Sequence, residues 1–209
     1  AGPLRLVLPS TGRLNVEILE FLMKKNGIHD DIQQWFALPG SEGMQFVQWA
    51  ILNNKFEILI ELGEAGISLN WRNEQGQGIL TLVSMFRTAF DLRWMIKCGF
   101  IPDVTQVIDM PDNDGIPAIG HAIRRGYQYK NMVQILLDVE ASLDFRDQNG
   151  QGPLHLVAKS GDVEMMKWLL ENFSDRVLQS IDIPDNTGYP PVEYACHQEN
   201  AEMVKEFVK

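Results

Sequence analysis

The sequence has only two cysteines in 209 residues, Cys98 and Cys196. That is too few to staple a secreted scaffold of this length, and their spacing matches no metal or redox motif. A reducing intracellular setting, cytoplasmic or nuclear, is the expectation. Cationic side chains are scarce too: 18 lysines and arginines stand against 28 acids, a formal net charge of −10. Such a chain repels phosphate backbones on balance, so no broad nucleic-acid binding is expected. Charged or amide side chains interrupt every long apolar stretch, which excludes a helical membrane span of roughly 18 apolar residues. The opening Ala1-Gly2-Pro3 lacks the charged and apolar regions of a signal peptide. No phosphate loop with a lysine, dinucleotide fingerprint or paired-carboxylate motif occurs. His121 and His197 have no Cys or acid at metal-ligand spacing. Cys196 and His197, adjacent on a helix and about 100° apart, cannot serve as nucleophile and base. Catalytic residues, metals, cofactors and a small-molecule substrate are therefore not expected.

What the chain has is apolar content, 45% of its residues, enough for a substantial core, and an internal period. The stretch Asp147-Gln-Asn-Gly150-Gln-Gly-Pro153-Leu154-His155-Leu-Val157-Ala158 is followed by Gly161 and by Val163 to Leu170. The same frame returns at Asp185 to Ala195, at Asp112 to Ala122 and, more weakly, at Asn73 to Val83. A further copy centres on Ala50. Equating Ala50, Val83, Ala122, Val157 and Ala195 gives steps of 33, 39, 35 and 38 residues. A longer period lies over the first: Val104 to Gly115 matches Val177 to Gly188 at 8 of 12 positions, an offset of 73. In the other phase, Ser68 to Val83 matches Ser142 to Val157 at 9 of 16 positions, an offset of 74. Long and short connectors thus alternate, and duplication of a two-repeat block is the simplest origin.

Each position of the frame has a physical task. The glycine gives a tight turn its backbone freedom, and the Asp or Asn before it bonds the turn's amides. Pro153 and Pro191 suit a first helical turn, where the missing N–H is not needed. Ala or Val at the helix centre lets a neighbour approach closely, and apolar residues then recur at helical spacing. On this pattern Met203, Val204 and Phe207 of the last helix are left without a following repeat to cover them.

The frame resembles the ankyrin pattern D-x-x-G-x-T-P-L-H-x-A, with Gly152 in place of the usual Thr and Val157 in place of the first Ala. The resemblance implies an all-α repeat solenoid, an ankyrin helix-turn-helix stack with short β-hairpin-like tips. It implies a half-repeat at 14–40, where Val16 to Met23 aligns with a second helix, and repeats at 41–72, 73–111, 112–146, 147–184 and 185–209, the last one short. It also gives His155 a structural role in bonding between turns.

In that family the partner surface is the tips together with the exposed face of the first helices, which line a concave groove. Carried over by position, the tip candidates are Glu74, Gln75 and Gln77; Asn113, Asp114 and Ile116; Gln148, Asn149 and Gln151; and Tyr189 with its neighbours Asn186 and Thr187. The first-helix candidates are Leu52 and Asn53, Met85 and Phe86, Arg124 and Arg125, Lys159 and Ser160, and His197 with Gln198. Apolar Leu52, Met85 and Phe86 stand beside the basic group Arg124, Arg125 and Lys159 in an otherwise acidic chain, which is how a protein interface reads. A protein or peptide partner is the expectation. Two alternatives remain open: the targeting or recruiting part of a larger multidomain enzyme or bacterial-type effector, and a reader of basic or methyl-lysine tails in which Trp71 joins an aromatic cage. Trp94 and Trp168 fall at equivalent positions and are expected to pack. The insertion at Tyr127-Gln-Tyr129-Lys130 is either a second contact point or a tolerated loop.

Overall fold

The computed structural model describes residues 42–56, 59–60, 62, 72–97, 101 and 103–208. The expected half-repeat at 14–40, Trp35, Trp71 and Cys98 lie outside the described residues. The helices are α1 (Glu42–Leu52), α2 (Ile79–Phe86), α3 (Ala89–Lys97), α4 (Val104–Val107), α5 (Ala118–Arg124), α6 (Lys130–Asp138), α7 (Pro153–Ser160), α8 (Val163–Val177), α9 (Pro191–His197) and α10 (Ala201–Phe207). No strand occurs among the described residues. The hairpin character of the tips lies in their hydrogen bonds alone, as between Asp112 N–H and Ile116 C=O at 3.0 Å.

The helices pair as α2 with α3, α5 with α6, α7 with α8 and α9 with α10, and the first members stack in the order α1, α2, α5, α7, α9. Their facing sides are filled by Ile51, Leu82, Val83, Ile119, Ala122, Leu154, Val157 and Ala195, all fully or almost fully buried. Small residues at the central positions set the close spacing, and the larger Leu and Ile fill the space beside them. Behind this layer the second helices bury Leu92, Met95, Met132, Val133, Met165, Leu169 and Met203. Three of the four begin at a side-chain cap: Thr88 Oγ1 accepts from Asp91 N–H at 3.3 Å, Asp162 from Met165 N–H at 2.9 Å, and Asn200 from Met203 N–H at 3.0 Å, while Tyr129 at the start of α6 makes no such bond. Such caps satisfy amides that the first helical turn leaves unpaired.

The alternation of connectors is visible. Between α3 and the tip at Asp112 lies the extra helix α4, and between α8 and the tip at Asp185 lies a 3₁₀ turn, Leu178–Ser180, whereas 139–146 joins α6 to the next tip with no helix. Helix α8 breaks its geometry at Phe173 (φ −139°, ψ 31°), which turns that ring edge-on to Trp168 at 5.3 Å. Trp94 meets Phe56 at 5.6 Å, so both tryptophans have the packing role expected of them. The last helix departs from expectation. Met203 is buried and Val204 and Phe207 are half-buried, because this face of α10 turns back onto α8 and α9 rather than onward along the stack.

The glycine of each described tip, at 76, 115, 150 and 188, has positive φ (72°, 83°, 75° and 89°). Two of them separate backbone strain from crowding. A Cβ at position 150 would lie 2.5 Å from Asn186 Oδ1 and 2.9 Å from its backbone nitrogen, but one at 188 meets nothing within 4 Å. Gly188→Ala is therefore expected to lose only the left-handed strain, about 1–2 kcal/mol. Gly150→Ala should lose roughly 2 kcal/mol more, because the next tip must move away. Urea unfolding of the two variants tests this, and equal losses would show that the tip contact is not tight.

Candidate interaction surface

Two hydrogen-bonded seams run along the stack, and they decide which candidate residues remain open to a partner. The first joins the tips. Within each, one carboxylate or amide oxygen collects two backbone amides, as Asp147 Oδ1 does from Asn149 and Gln151, both at 2.8 Å. Between tips, the amides of Asn113, Gln148 and Asn186 donate to Gln75, Asp114 and Asn149 carbonyls, each at 2.9 Å. The side chains of the same three residues reach back as well: Asn113 Nδ2 to Glu74 C=O at 2.8 Å, Asn186 Nδ2 to Gln148 C=O at 2.9 Å, and Gln148 Nε2 to Asn113 C=O.

Two tip residues expected from the sequence to be open to a partner therefore need correction, and three more, Asn113, Gln148 and Asn186, are tied into the seam. Ile116 and Gln151, expected on the exposed tip, are each only 4% exposed. Ile116 turns into the core beside the Phe145 ring. Gln151 Nε2 donates to Asp185 Oδ2 (3.0 Å) and Tyr194 Oη (2.8 Å), and its Oε1 accepts from Lys159 Nζ at 3.0 Å. Asn113 and Gln148 are exposed, but their amides are committed to the seam. The remaining tip candidates Glu74, Gln75, Asp114, Asn149 and Tyr189 are exposed, and Gln77 is half-buried, its Oε1 accepting from Asn73.

The second seam joins the turns between paired helices. Arg125 Nη1 donates to the carbonyls of Ser84 (3.0 Å) and Arg87 (2.7 Å), and its guanidinium lies 3.4 Å from the centre of the Tyr129 ring. A cation on the carbonyl end of α2 also opposes that helix's dipole. Arg125 thus belongs to the scaffold rather than to a free basic cluster. Its counterpart in the last repeat, Gln198, does the same for Lys159 C=O at 2.7 Å. The Tyr127–Tyr129 insertion extends this seam, since Tyr127 N–H donates to Asp162 Oδ2 at 2.7 Å. Arg87 bonds Asn54 Oδ1 in the preceding turn.

Buried polar groups tie tips to helices. His155 accepts from Gly152 N–H on Nδ1 at 3.3 Å and bonds Tyr189 C=O through Nε2 at 3.1 Å, the role the resemblance implied. His121 Nε2 meets Asp112 Oδ2 at 2.7 Å, and Tyr194 Oη donates to Asp185 Oδ2 at 2.5 Å. Burial raises the Asp185 carboxyl, but hydrogen bonds from Thr187, Tyr194 and Gln151 outweigh it and hold the group well below the usual carboxylate range. Tyr194 is pushed up, chiefly by that carboxylate. For both histidines burial, the largest cause, lowers the proton affinity below the ordinary 6.5, against the partial support of Asp112 and of Tyr189 C=O. Among the described residues no group of three or more His, Cys, Asp or Glu is placed to hold a metal, and no helix is long and apolar enough to cross a membrane.

What stays on the surface forms a line. Leu52, Met85, Arg124, Lys159 and His197 each sit two residues beyond the equated helix centres, one per repeat. Leu52 is 44% exposed and Met85 half-buried, and the three cationic or imidazole positions are exposed. In the adjacent register Phe86, 47% exposed, stands where the other repeats have Asn53, Arg125, Ser160 and Gln198. Phe90, 76% exposed at the start of α3, is a residue that the groove pattern passed over because it lies on a second helix. The signal was available in the sequence, since its equivalents are Asn131, Glu164 and Glu202.

Helix hairpins stacked in register, zipped at both ends and presenting one side chain per repeat along a common face, define a helical repeat solenoid. A family model described as ankyrin repeats in three copies matches residues 90–179 and again 119–209, together more than half of the chain. The chain belongs to the ankyrin-repeat family. Ankyrin repeats are generally protein–protein interaction modules, and such domains are typically non-catalytic. A comparison with curated proteins finds no match.

Arg125→Ala should lower stability by about 1–3 kcal/mol, as two carbonyls lose a charged donor, while Arg124→Ala should change it by less than about 0.5 kcal/mol. Urea titration of both variants decides, and a reversed order would return Arg125 to the free surface. A pH effect follows from the histidines. Their folded-state values are depressed, so the unfolded chain takes up protons first; the stability tied to neutral imidazole is present above about pH 6.5 and is lost as pH falls below it. The slope of unfolding free energy between pH 7.5 and 5.5 should flatten in a His121→Gln/His155→Gln double variant. An unchanged slope would assign the effect to other groups.

Proposed function

We propose that this chain is a protein-interaction scaffold that holds a partner segment along the register line Leu52, Met85, Arg124, Lys159 and His197, over repeats two to four in particular. The observation that carries the reading is the change of chemistry along that line: apolar at its N-terminal end, basic from Arg124 onward, in a chain of net charge −10. Neither seam uses the Leu52, Met85 or Arg124 side chain, so selection on binding can set them without touching the stack. A segment with an apolar anchor followed by acids complements the line, the anchor contributing affinity and the acids contributing encounter rate and register. Exposed tip acids Glu74 and Asp114 flank it and discourage acids on that side of the partner. The basic half of the line weighs against a cationic or methyl-lysine tail as ligand.

The test is affinity purification of partners from the source cell with the wild-type chain and with a Met85→Gln/Arg124→Glu variant. Recovery of specific partners should fall by about tenfold or more. The melting midpoint should move by less than about 4 °C, since both positions lie outside the seams. Undiminished recovery would mean that the groove line is not the partner site.

A further inference from the structure

The second helices share one register, counted from the residues that precede them, Thr88, Tyr129, Asp162 and Asn200, three of which cap their helix with a side chain. The second position after the cap is Phe90, Asn131, Glu164 and Glu202, and the fifth is Arg93, Gln134, Lys167 and Lys205. Six of these eight positions are exposed, and Gln134 and Lys167 are half-buried. In the fourth repeat the positions are electrically closed, because Lys167 Nζ lies 3.2 Å from Glu164 Oε1 on its own helix and 2.8 Å from Glu202 Oε1 on the next. Two carboxylates hold one ammonium.

In the second repeat the same geometry is present without the acids. Arg93 corresponds to Lys167, but the carboxylate three residues before it is replaced by the phenyl ring of Phe90, and the one on the following helix by the amide of Asn131. Arg93 is exposed and has no ion-pair partner among the described residues. Lys97, exposed on the same face at the end of α3, adds a second cation. The acid on the neighbouring helix, Asp138, is hydrogen-bonded by Gln134 Nε2 at 2.8 Å and forms no ion pair with it. Across the turn from Phe90, Phe86 is a second exposed ring at a position that is polar in every other repeat. Single exposed apolar residues are ordinary on protein surfaces, whereas two at positions that are polar throughout the rest of the stack, beside uncompensated cations, mark a contact surface.

We infer that the outer face of the second repeat, formed by Phe90, Arg93 and Lys97 with Phe86 at its border, is a second docking surface, distinct from the groove, for an acidic protein segment carrying an apolar or aromatic anchor. The anchor covers Phe90 and its acids take the places that Glu164 and Glu202 occupy around Lys167. In the fourth repeat that position is already neutralised, in the third it holds the uncharged Gln134, and in the fifth Lys205 stands beside Glu202 and Gln198 rather than rings, so among the described residues this combination of rings and cations occurs once.

The probe is a fluorescein-labelled synthetic peptide of Glu and Leu with the leucines at helical spacing, compared with its Lys-for-Glu counterpart by anisotropy titration of the full chain. The acidic peptide should bind about tenfold or more tightly than the basic one and weaken as salt is raised. Phe90→Ser and Arg93→Glu should each weaken it by about fivefold or more, with circular dichroism melts unchanged, and should do so equally in the Met85→Gln/Arg124→Glu background, where the groove is disabled. No binding, equal binding of the two peptides, or insensitivity to both outer-face variants would overturn the proposal. Loss of binding only in the groove variant would overturn it as well, while leaving the groove reading intact.

Discussion

A pair of short helices cannot bury its apolar side by itself, and everything else in this molecule follows from that constraint. Each hairpin has two faces that need cover, and only a neighbouring hairpin of the same shape supplies it. The central Ala and Val positions are small because two backbones must come close there, and the flanking Leu, Ile and Met fill the remaining volume. Hydrophobic contact is indifferent to sliding by a fraction of a turn. The tip seam and the turn seam are not: each donor has an acceptor placed for it, so sliding a repeat breaks the bonds of a whole seam together. The apolar layer holds the repeats together, and the two seams fix their register.

The two-repeat period has its physical expression in the tips. In the third and fifth repeats the carboxylate of the tip Asp meets a polar side chain from the first helix, His121 for Asp112 and Tyr194 for Asp185. At the same position the second and fourth repeats have Leu82 and Leu156, both buried. In the fourth, Gln151 compensates by reaching across to Asp185 and Tyr194 of the fifth. One hydrogen-bonded cluster therefore serves two repeats, and losing either member leaves buried polar atoms in the other. In the second repeat the corresponding Gln77 turns to Asn73 of its own tip, so among the described residues this cross-repeat cluster joins the fourth and fifth repeats alone.

Most of the fold was legible in the sequence because its positions carry backbone requirements. A glycine at positive φ, a proline in a first turn and an aspartate collecting two amides are local demands that few residues meet, so they recur recognisably. His155 was legible for the same reason. The site was less so. Ile116 and Gln151 share a tip position with Gln77 and Tyr189, and nothing local distinguishes a side chain turned inward from one turned outward; a connection to the next repeat decides, as Asp185 does for Gln151. Arg125 reads as half of a basic pair with Arg124, and only the stack shows that successive helix residues face different directions, one to solvent and one onto the carbonyls of Ser84 and Arg87. The cover over Met203 comes from α8 and α9, and a repeat pattern that runs along the stack axis does not encode it.

Phe90 shows where the resemblance itself concealed something. A family pattern directs attention to the groove, and residues on second helices are then taken as solvent face. Internal comparison corrects this, because the repeats are copies of one structural position under different selection. A solenoid is close to one-dimensional: each repeat touches only its neighbours, so a solvent-facing substitution in one does not propagate. Stability therefore places little constraint on what stands at positions 86, 90 and 93, and it provides no reason for two phenyl rings beside bare cations. Exposed rings still carry a liability to non-specific association. Where a charged residue in that register is paired within the fold, as Lys167 is, the scaffold has closed the surface; where it is not, as at Arg93, the missing carboxylates describe the chemistry of whatever closes it.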